Sequence, residues 1–119
     1  MMAEEREEVR FKVEEALPKC DIRNAHAEPA TVKPGETVNI VFDVCNVGGG
    51  VLDAEIRKTF KGPTYIPPIT EKVPGIRAGT CVRRREAIKI PENARAGEYI
   101  CIIECYPGGV VRPVTLRRV

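Results

Sequence analysis

From residue 20 onward the apolar side chains recur at every second position, in short runs broken by proline and glycine. A period of two belongs to an extended strand with one buried face. A helix would repeat its apolar positions every three to four residues instead. In KPGETVNIVFDVCNVGGG, residues 33–50, Val38, Ile40, Phe42 and Val44 fall on one side. Asn39, Val41, Asp43 and Cys45 fall on the other. Pro34 fixes φ in the turn before this run, Gly35 is free to take φ > 0, and Gly48-Gly49-Gly50 closes the run.

The same alternation marks Asp21 to Ala27, Leu52 to Phe60, Cys81 to Ile90, Glu98 to Tyr106 and Val110 to Val119. Tyr65 to Val73 contains Pro67-Pro68 and reads as an edge or loop segment, because proline cannot donate to a central ladder. The apolar share is ordinary at 43%, but aromatics make up only 5% and there is no Trp, so the core must come mainly from Val and Ile. Seven strand candidates separated by regular turn signals predict an all-β sandwich over residues 20–119. At 119 residues the chain is one domain with a charged N-terminal extension, residues 1–19.

That extension reads two ways. Val9, Val13 and Leu17 recur every fourth residue, which suits an amphipathic helix, whereas Val9, Phe11 and Val13 alternate, which suits a strand. Helix propensity and the early glutamates favour a short helix ending before Pro18. No stretch approaches the roughly 20 apolar residues of a membrane-spanning helix, so no membrane insertion is expected. No basic segment followed by an apolar one marks an export signal. The sequence as given therefore reads as cytoplasmic, and as extracellular if it is a fragment of a secreted chain. Five cysteines sit oddly with a reducing cytosol. Together with heavy use of Arg, Glu and Pro they give the composition a thermophile-like cast.

Three segments, EPATVKPGETVNIVFDVCNVGGG, VPGIRAGT and IPENARAGEYICIIECYPGG, together resemble the CARDB family, the cell adhesion related domain found in bacteria. They carry its PGE turn, its strand ending in N-x-G, its second turn with x-G-[ST] and its late P-x-x-x-x-x-G-x-Y strand. The resemblance covers about residues 20–115. It implies a seven-stranded immunoglobulin-like sandwich, usually a repeated adhesion or spacer module, with no catalytic residues to carry over. This chain departs from the family in its abundance of Cys and Arg.

Cysteine chemistry narrows on spacing. Cys101 and Cys105 lie on one face of a strand about 13 Å apart, too far for two ligands of one zinc ion, and read as core fillers beside Tyr99. His26 is the only imidazole and sits in the weak first strand between Ala25 and Ala27, where it reads as a surface or edge residue, so neither a nucleophilic cysteine site nor any cofactor is expected, and the chain is read as no enzyme. In an immunoglobulin-like order the strand of residues 38–45 pairs antiparallel with the strand that begins at Cys81. Cys45 then stands beside Cys81 on the side away from the core, within reach of a disulfide, and Cys20 is the rival partner.

Charge is uneven although the net value is only +2. Residues 77–119 hold nine Arg or Lys against four Glu, a balance of +5. Arg83 and Arg85 lie on the outer face of one strand, and Arg112, Arg117 and Arg118 lie on the last. Such a set suits phosphate recognition, but no run of exposed aromatics offers a stacking platform. Glu86 and Glu104 are candidate cross-strand partners for these arginines. The reading that follows is a non-catalytic immunoglobulin-like module that binds a protein partner or self-associates, with nucleic-acid binding through the Arg-rich half as the alternative.

Overall fold

The computed structural model describes residues 5–13, 17–107 and 110–118, and all regular structure among them is β. Eight strands follow in chain order: β1 (Cys20–Glu28), β2 (Thr31–Val32), β3 (Thr37–Asn46), β4 (Val51–Lys61), β5 (Ile69–Arg77), β6 (Cys81–Lys89), β7 (Gly97–Tyr106) and β8 (Val110–Arg118). They form a three-stranded sheet, β1-β3-β6, and a five-stranded sheet, β2-β8-β7-β4-β5. The eighth strand beyond the seven expected is β2, whose two residues run parallel to the end of β8 and are too few to show a period. No helix forms over residues 5–13, where Val9, Phe11 and Val13 stand exposed. The rest of the expected helix includes residues 14–16, which lie outside the described residues.

The core is filled by the alternation itself. Val38, Ile40, Phe42 and Val44 of β3 meet Leu52, Ala54 and Ile56 of β4 and Tyr99, Cys101, Ile103 and Cys105 of β7 in one buried cluster. Burial of each large side chain of this kind contributes about 1.5–3 kcal/mol. The Tyr99 hydroxyl donates to the Arg95 carbonyl at 2.7 Å, so the one buried phenol is satisfied and the loop before β7 is tied to the core. A tyrosine at the start of this strand bonded back to the chain four residues upstream is a recurring feature of immunoglobulin-like sandwiches.

Two turns read from the sequence take their places with some adjustment. In the first, Glu36 N–H donates to the Lys33 carbonyl at 3.1 Å, and Gly35 sits at φ 80°. In the second, the turn contracts towards Ala78–Thr80, because Pro74 and Gly75 belong to β5. There they form a bulge opposite Leu52–Ala54, with the Gly75 N–H donating to the Asp53 carboxylate at 2.9 Å. An edge strand tolerates this, since one side of its backbone has no ladder to break.

Asn46 is the polar hub of one end of the sandwich. Only 1% of it is exposed, yet its amide is fully engaged. Nδ2 donates to the carbonyls of Gly50 at 3.1 Å and Ile76 at 3.0 Å, and Oδ1 accepts from Gly48 N–H at 3.1 Å and Lys19 N–H at 3.4 Å. The N-x-G sequence thus joins the β3–β4 loop, the end of β5 and the segment leading into β1. Gly48 is required because a Cβ there would collide with the Leu17 carbonyl. Asn46→Ala would leave four backbone groups without this partner, and we expect a loss of about 2–3 kcal/mol in urea unfolding. A loss below about 0.5 kcal/mol, the range of an ordinary surface change, would contradict the role assigned to this side chain.

Candidate functional site

β5 and β6 are the outermost strands of their sheets on the same side of the sandwich, so the open side between the sheets is lined by their inward faces. Parity carries charge into that opening. On β4 the core row Leu52, Ala54, Ile56 continues to Lys58, which is 0% exposed. Its ammonium lies 2.9 Å from Glu71 Oε1 on β5, 3.5 Å from Glu86 Oε1 on β6 and 5.2 Å from the centre of the Phe42 ring. Arg84 on β6 completes the set, 3.0 Å from Glu71 Oε2. Two cations and two carboxylates therefore close the gap between the sheets, with the cation–π contact helping to satisfy the buried ammonium. Desolvation is the largest influence on Glu71 and raises its pKa. Hydrogen bonds from Lys58 and Arg84, with their charges, outweigh it and hold the carboxyl below its ordinary 4.5.

The opposite parity of β6 faces outward. Arg83 binds Asp43 at 3.1 Å and Arg85 binds Glu28 at 2.9 Å. Asn24 donates to the same Asp43 carboxylate at 2.8 Å, at a bulge in β1 where Asn24 itself has φ 54°. His26 joins the array through contacts of 2.9 Å to the Asn24 carbonyl and 2.7 Å to Glu28. The Asn24 carbonyl first, and Glu28 second, raise the His26 pKa above 6.5. Glu86 and Glu104 were the expected partners for the outward arginines. Instead Glu86 turns inward to Lys58, and Glu104 accepts from the Tyr106 hydroxyl. The physical reason is parity: Glu86 shares the inward face with Arg84, not the outward face with Arg83 and Arg85.

Pairing of β3 with β6 is antiparallel and unbroken from Thr37↔Lys89 to Cys45↔Cys81. The Asn46 N–H donates to the Thr80 carbonyl at 3.0 Å, which makes Cys45↔Cys81 one of the close, non-hydrogen-bonded pairs. Their Cα atoms are 4.0 Å apart and the two sulfurs are bonded. Cys45 is buried but outside the core cluster, and Cys81 is exposed. Cys20 is not the partner of Cys45. In the β1–β3 register Asp21, rather than Cys20, lies opposite Cys45, so Cys20 has the inward parity and bonds Cys105 across the core, Cα to Cα 5.9 Å. Cys105 is therefore half of an inter-sheet cross-link and not a filler. Cys101 beside it is free and buried, its thiol pushed up to about 12 mainly by desolvation. Closing loops of 85 and 36 residues, the two cross-links each contribute on the order of 4 kcal/mol by restricting the unfolded chain.

Arg112, Arg117 and Arg118 occupy backbone positions on β8, opposite Ile103, Glu98 and Gly97 of β7. β8 belongs to the five-stranded sheet and β6 to the three-stranded one, so the backbone does not bring the two arginine groups onto one sheet. Sequence reasoning missed Lys58, although its place on the core parity of β4 was the available signal. Among the described residues, no group of three or more His, Cys, Asp or Glu is placed to hold a metal ion. Among the described residues there is no helix long and apolar enough to cross a membrane.

No known family matches this sequence, and no curated protein does. Solved structures share its fold. A CARDB domain from Pyrococcus furiosus, solved in complex with di-metal ions, is 14% identical with a TM-score of 0.54, over 92% of this chain and 98% of that one. The alkylpurine DNA glycosylase of Pseudomonas fluorescens bound to DNA containing an abasic site analog is 14% identical with a TM-score of 0.66, over 87% of this chain. A β-glucosidase from Erythrobacter marinus is 12% identical with a TM-score of 0.70, over 86% of this chain. The present chain spans only 31% and 16% of those two enzymes. At such identities the likeness establishes an all-β, two-sheet sandwich of immunoglobulin-like type.

The charge cluster has a measurable weight. Lys58→Met would leave Glu71 and Glu86 without the buried cation and should cost about 3 kcal/mol in urea unfolding at neutral pH. Replacing Glu71 by Gln in the same chain should recover part of that loss. Because its folded pKa is lowered, Glu71 contributes stability above pH 4.5 that fades as pH falls through the folded value. Glu71→Gln should therefore flatten the acid limb of the stability profile, and an unchanged limb would contradict the assignment.

Proposed function

We propose that this chain is a non-catalytic immunoglobulin-like interaction module that binds a protein partner or another copy of itself through a sheet edge. The observation that carries this reading is β6: nine residues, regular along its whole length, cross-linked to β3 at one end and with its outer side at the edge of the sheet. Such an edge presents a row of backbone donors and acceptors already held in strand geometry. The whole-length likeness to a CARDB domain supports the reading, as does the match to a minor part of larger enzymes, the relation expected of an accessory module. Catalysis is no part of the proposal. Two disulfides favour a setting that permits them, outside the cell or in an organism of high growth temperature.

The alternative, a nucleic-acid-binding accessory protein, draws on Arg83 and Arg85 and on the arginine positions of β8. It is disfavoured by the pairing of Arg83 with Asp43 and Arg85 with Glu28, which leaves these guanidiniums part-neutralised. Fluorescence anisotropy with mixed-sequence DNA and RNA at about 50 mM salt separates the two readings. The module reading predicts no binding that falls steeply with salt. Salt-dependent binding that weakens in Arg83→Ala and Arg85→Ala chains would establish the alternative.

A further inference from the structure

Four of the five cysteines are bonded, but the two bonds stand in different surroundings. Cys20 and Cys105 are 0% exposed and join the sheets inside the core cluster, so no external thiol reaches either sulfur while the chain is folded. The free Cys101 is no internal attacker. It lies four residues from Cys105 on an extended strand, roughly 13 Å along it. Its raised pKa also keeps it protonated, whereas the thiolate is the attacking species.

The second bond lies on the outward face of the three-stranded sheet, between its middle strand and an edge strand. Cys45 is 1% exposed, whereas Cys81 is exposed. Thiol–disulfide exchange needs a thiolate to approach one sulfur from the side opposite the bond that breaks. A line from Cys45 through Cys81 crosses β6 and leaves the sheet at its open edge, where no strand lies among the described residues. The reverse line, through Cys45, runs into β1, where Asp21 stands opposite. An incoming thiolate there would meet a strand and a carboxylate of its own sign. Access, direction and charge agree on the sulfur of Cys81.

We propose that Cys45–Cys81 is an exchange site that takes a dithiol at Cys81, while Cys20–Cys105 stays closed for as long as the chain is folded. One thiolate of the dithiol attacks Cys81 Sγ and forms a mixed disulfide. The Cys45–Cys81 bond breaks with its electron pair on Cys45 Sγ, which takes up a proton. The dithiol's second thiolate then closes on its first sulfur and expels Cys81 as a thiolate, which is protonated in turn. Two electrons pass to the protein, and the dithiol leaves as a disulfide. A monothiol is a poorer co-reactant, because the ladder holds Cys45 opposite Cys81, where it re-attacks the mixed disulfide and expels the monothiol. The opened chain keeps its fold. β6 remains paired with β3 and tied by Arg83 to Asp43, by Arg85 to Glu28 and by Glu86 to Lys58. The site is the same whichever partner the module takes.

Timed reduction of the native, oxidised full chain with dithiothreitol, followed by alkylation and peptide mapping, tests this. Cys45 and Cys81 should become alkylated at least about a hundredfold faster than Cys20 and Cys105, whose bond opens only on unfolding. Far-UV circular dichroism should not change as the first bond opens. Two variants with oxidised glutathione then identify the reactive sulfur. In Cys45→Ser the Cys81 thiolate has no resolving neighbour, so it should displace one glutathione and retain the other as a mixed disulfide. In Cys81→Ser the buried Cys45 should gain none. Bonds that open together, Cys20–Cys105 opening first, or a Cys45–Cys81 bond that resists dithiothreitol in the folded chain would overturn the proposal. So would glutathione on Cys45 of the Cys81→Ser chain, or none on Cys81 of the Cys45→Ser chain.

Discussion

The pairing of β3 with β6 is the constraint on which the rest of this molecule depends. Their unbroken register decides which side of β6 faces the core, and a slip of one residue would exchange the two faces. In the observed register Arg84 and Glu86 meet Glu71 and Lys58, while Arg83 and Arg85 meet Asp43 and Glu28. The same register brings Cys45 opposite Cys81, so the covalent link locks the alignment that distributes the charges. Backbone pairing, electrostatics and cross-linking thus agree on one arrangement, which is the condition for a sequence to specify a single fold.

Closing the open side of the sandwich with ions is an unusual solution beside a core made mainly of Val and Ile. Apolar residues of similar volume could serve at equal or better stability, because charges lose solvation when buried. What Lys58, Glu71, Arg84 and Glu86 add is alignment between two edge strands that belong to different sheets and share no backbone ladder. At the end of β3 Asn46 plays a comparable part with neutral hydrogen bonds. The charge cluster stands beside the middle of β3, where Glu86 and Arg84 lie opposite Ile40 and Phe42, and the inter-sheet bond from Cys20 to Cys105 joins the layers at the Asn46 end, where Cys20 lies opposite Asn46.

Much of this architecture was legible in the chain. The period-two runs locate the core row of β3 and the inward row of β7, because each residue's face follows from position alone. The turn at Pro34-Gly35 follows equally from local chemistry. What escaped is what depends on a second segment. Two residues of β2 carry no periodic signal and exist as a strand only because β8 is beside them. Pro74 reads as a turn residue, but an edge position with a bulge accommodates it within β5. Cys105 reads as a filler because its partner lies 85 residues earlier on the opposite sheet. The N-terminal residues show both helix and strand spacing, and neither pattern becomes a helix over residues 5–13. Lys58 was readable from parity alone, but a buried lysine makes sense only once two carboxylates and an aromatic ring are seen around it.

Disulfide mapping of the oxidised protein tests the register most directly. Digestion under non-reducing conditions should yield the peptide containing Cys45 joined to that containing Cys81, and Cys20 joined to the peptide that carries both Cys101 and Cys105. Fragmentation within that last peptide should place the link on Cys105, with Cys101 modified only after unfolding. A bond from Cys45 to Cys20, or an unlinked Cys81 in fully oxidised protein, would contradict the pairing of β3 with β6 and the arrangement of charges built upon it.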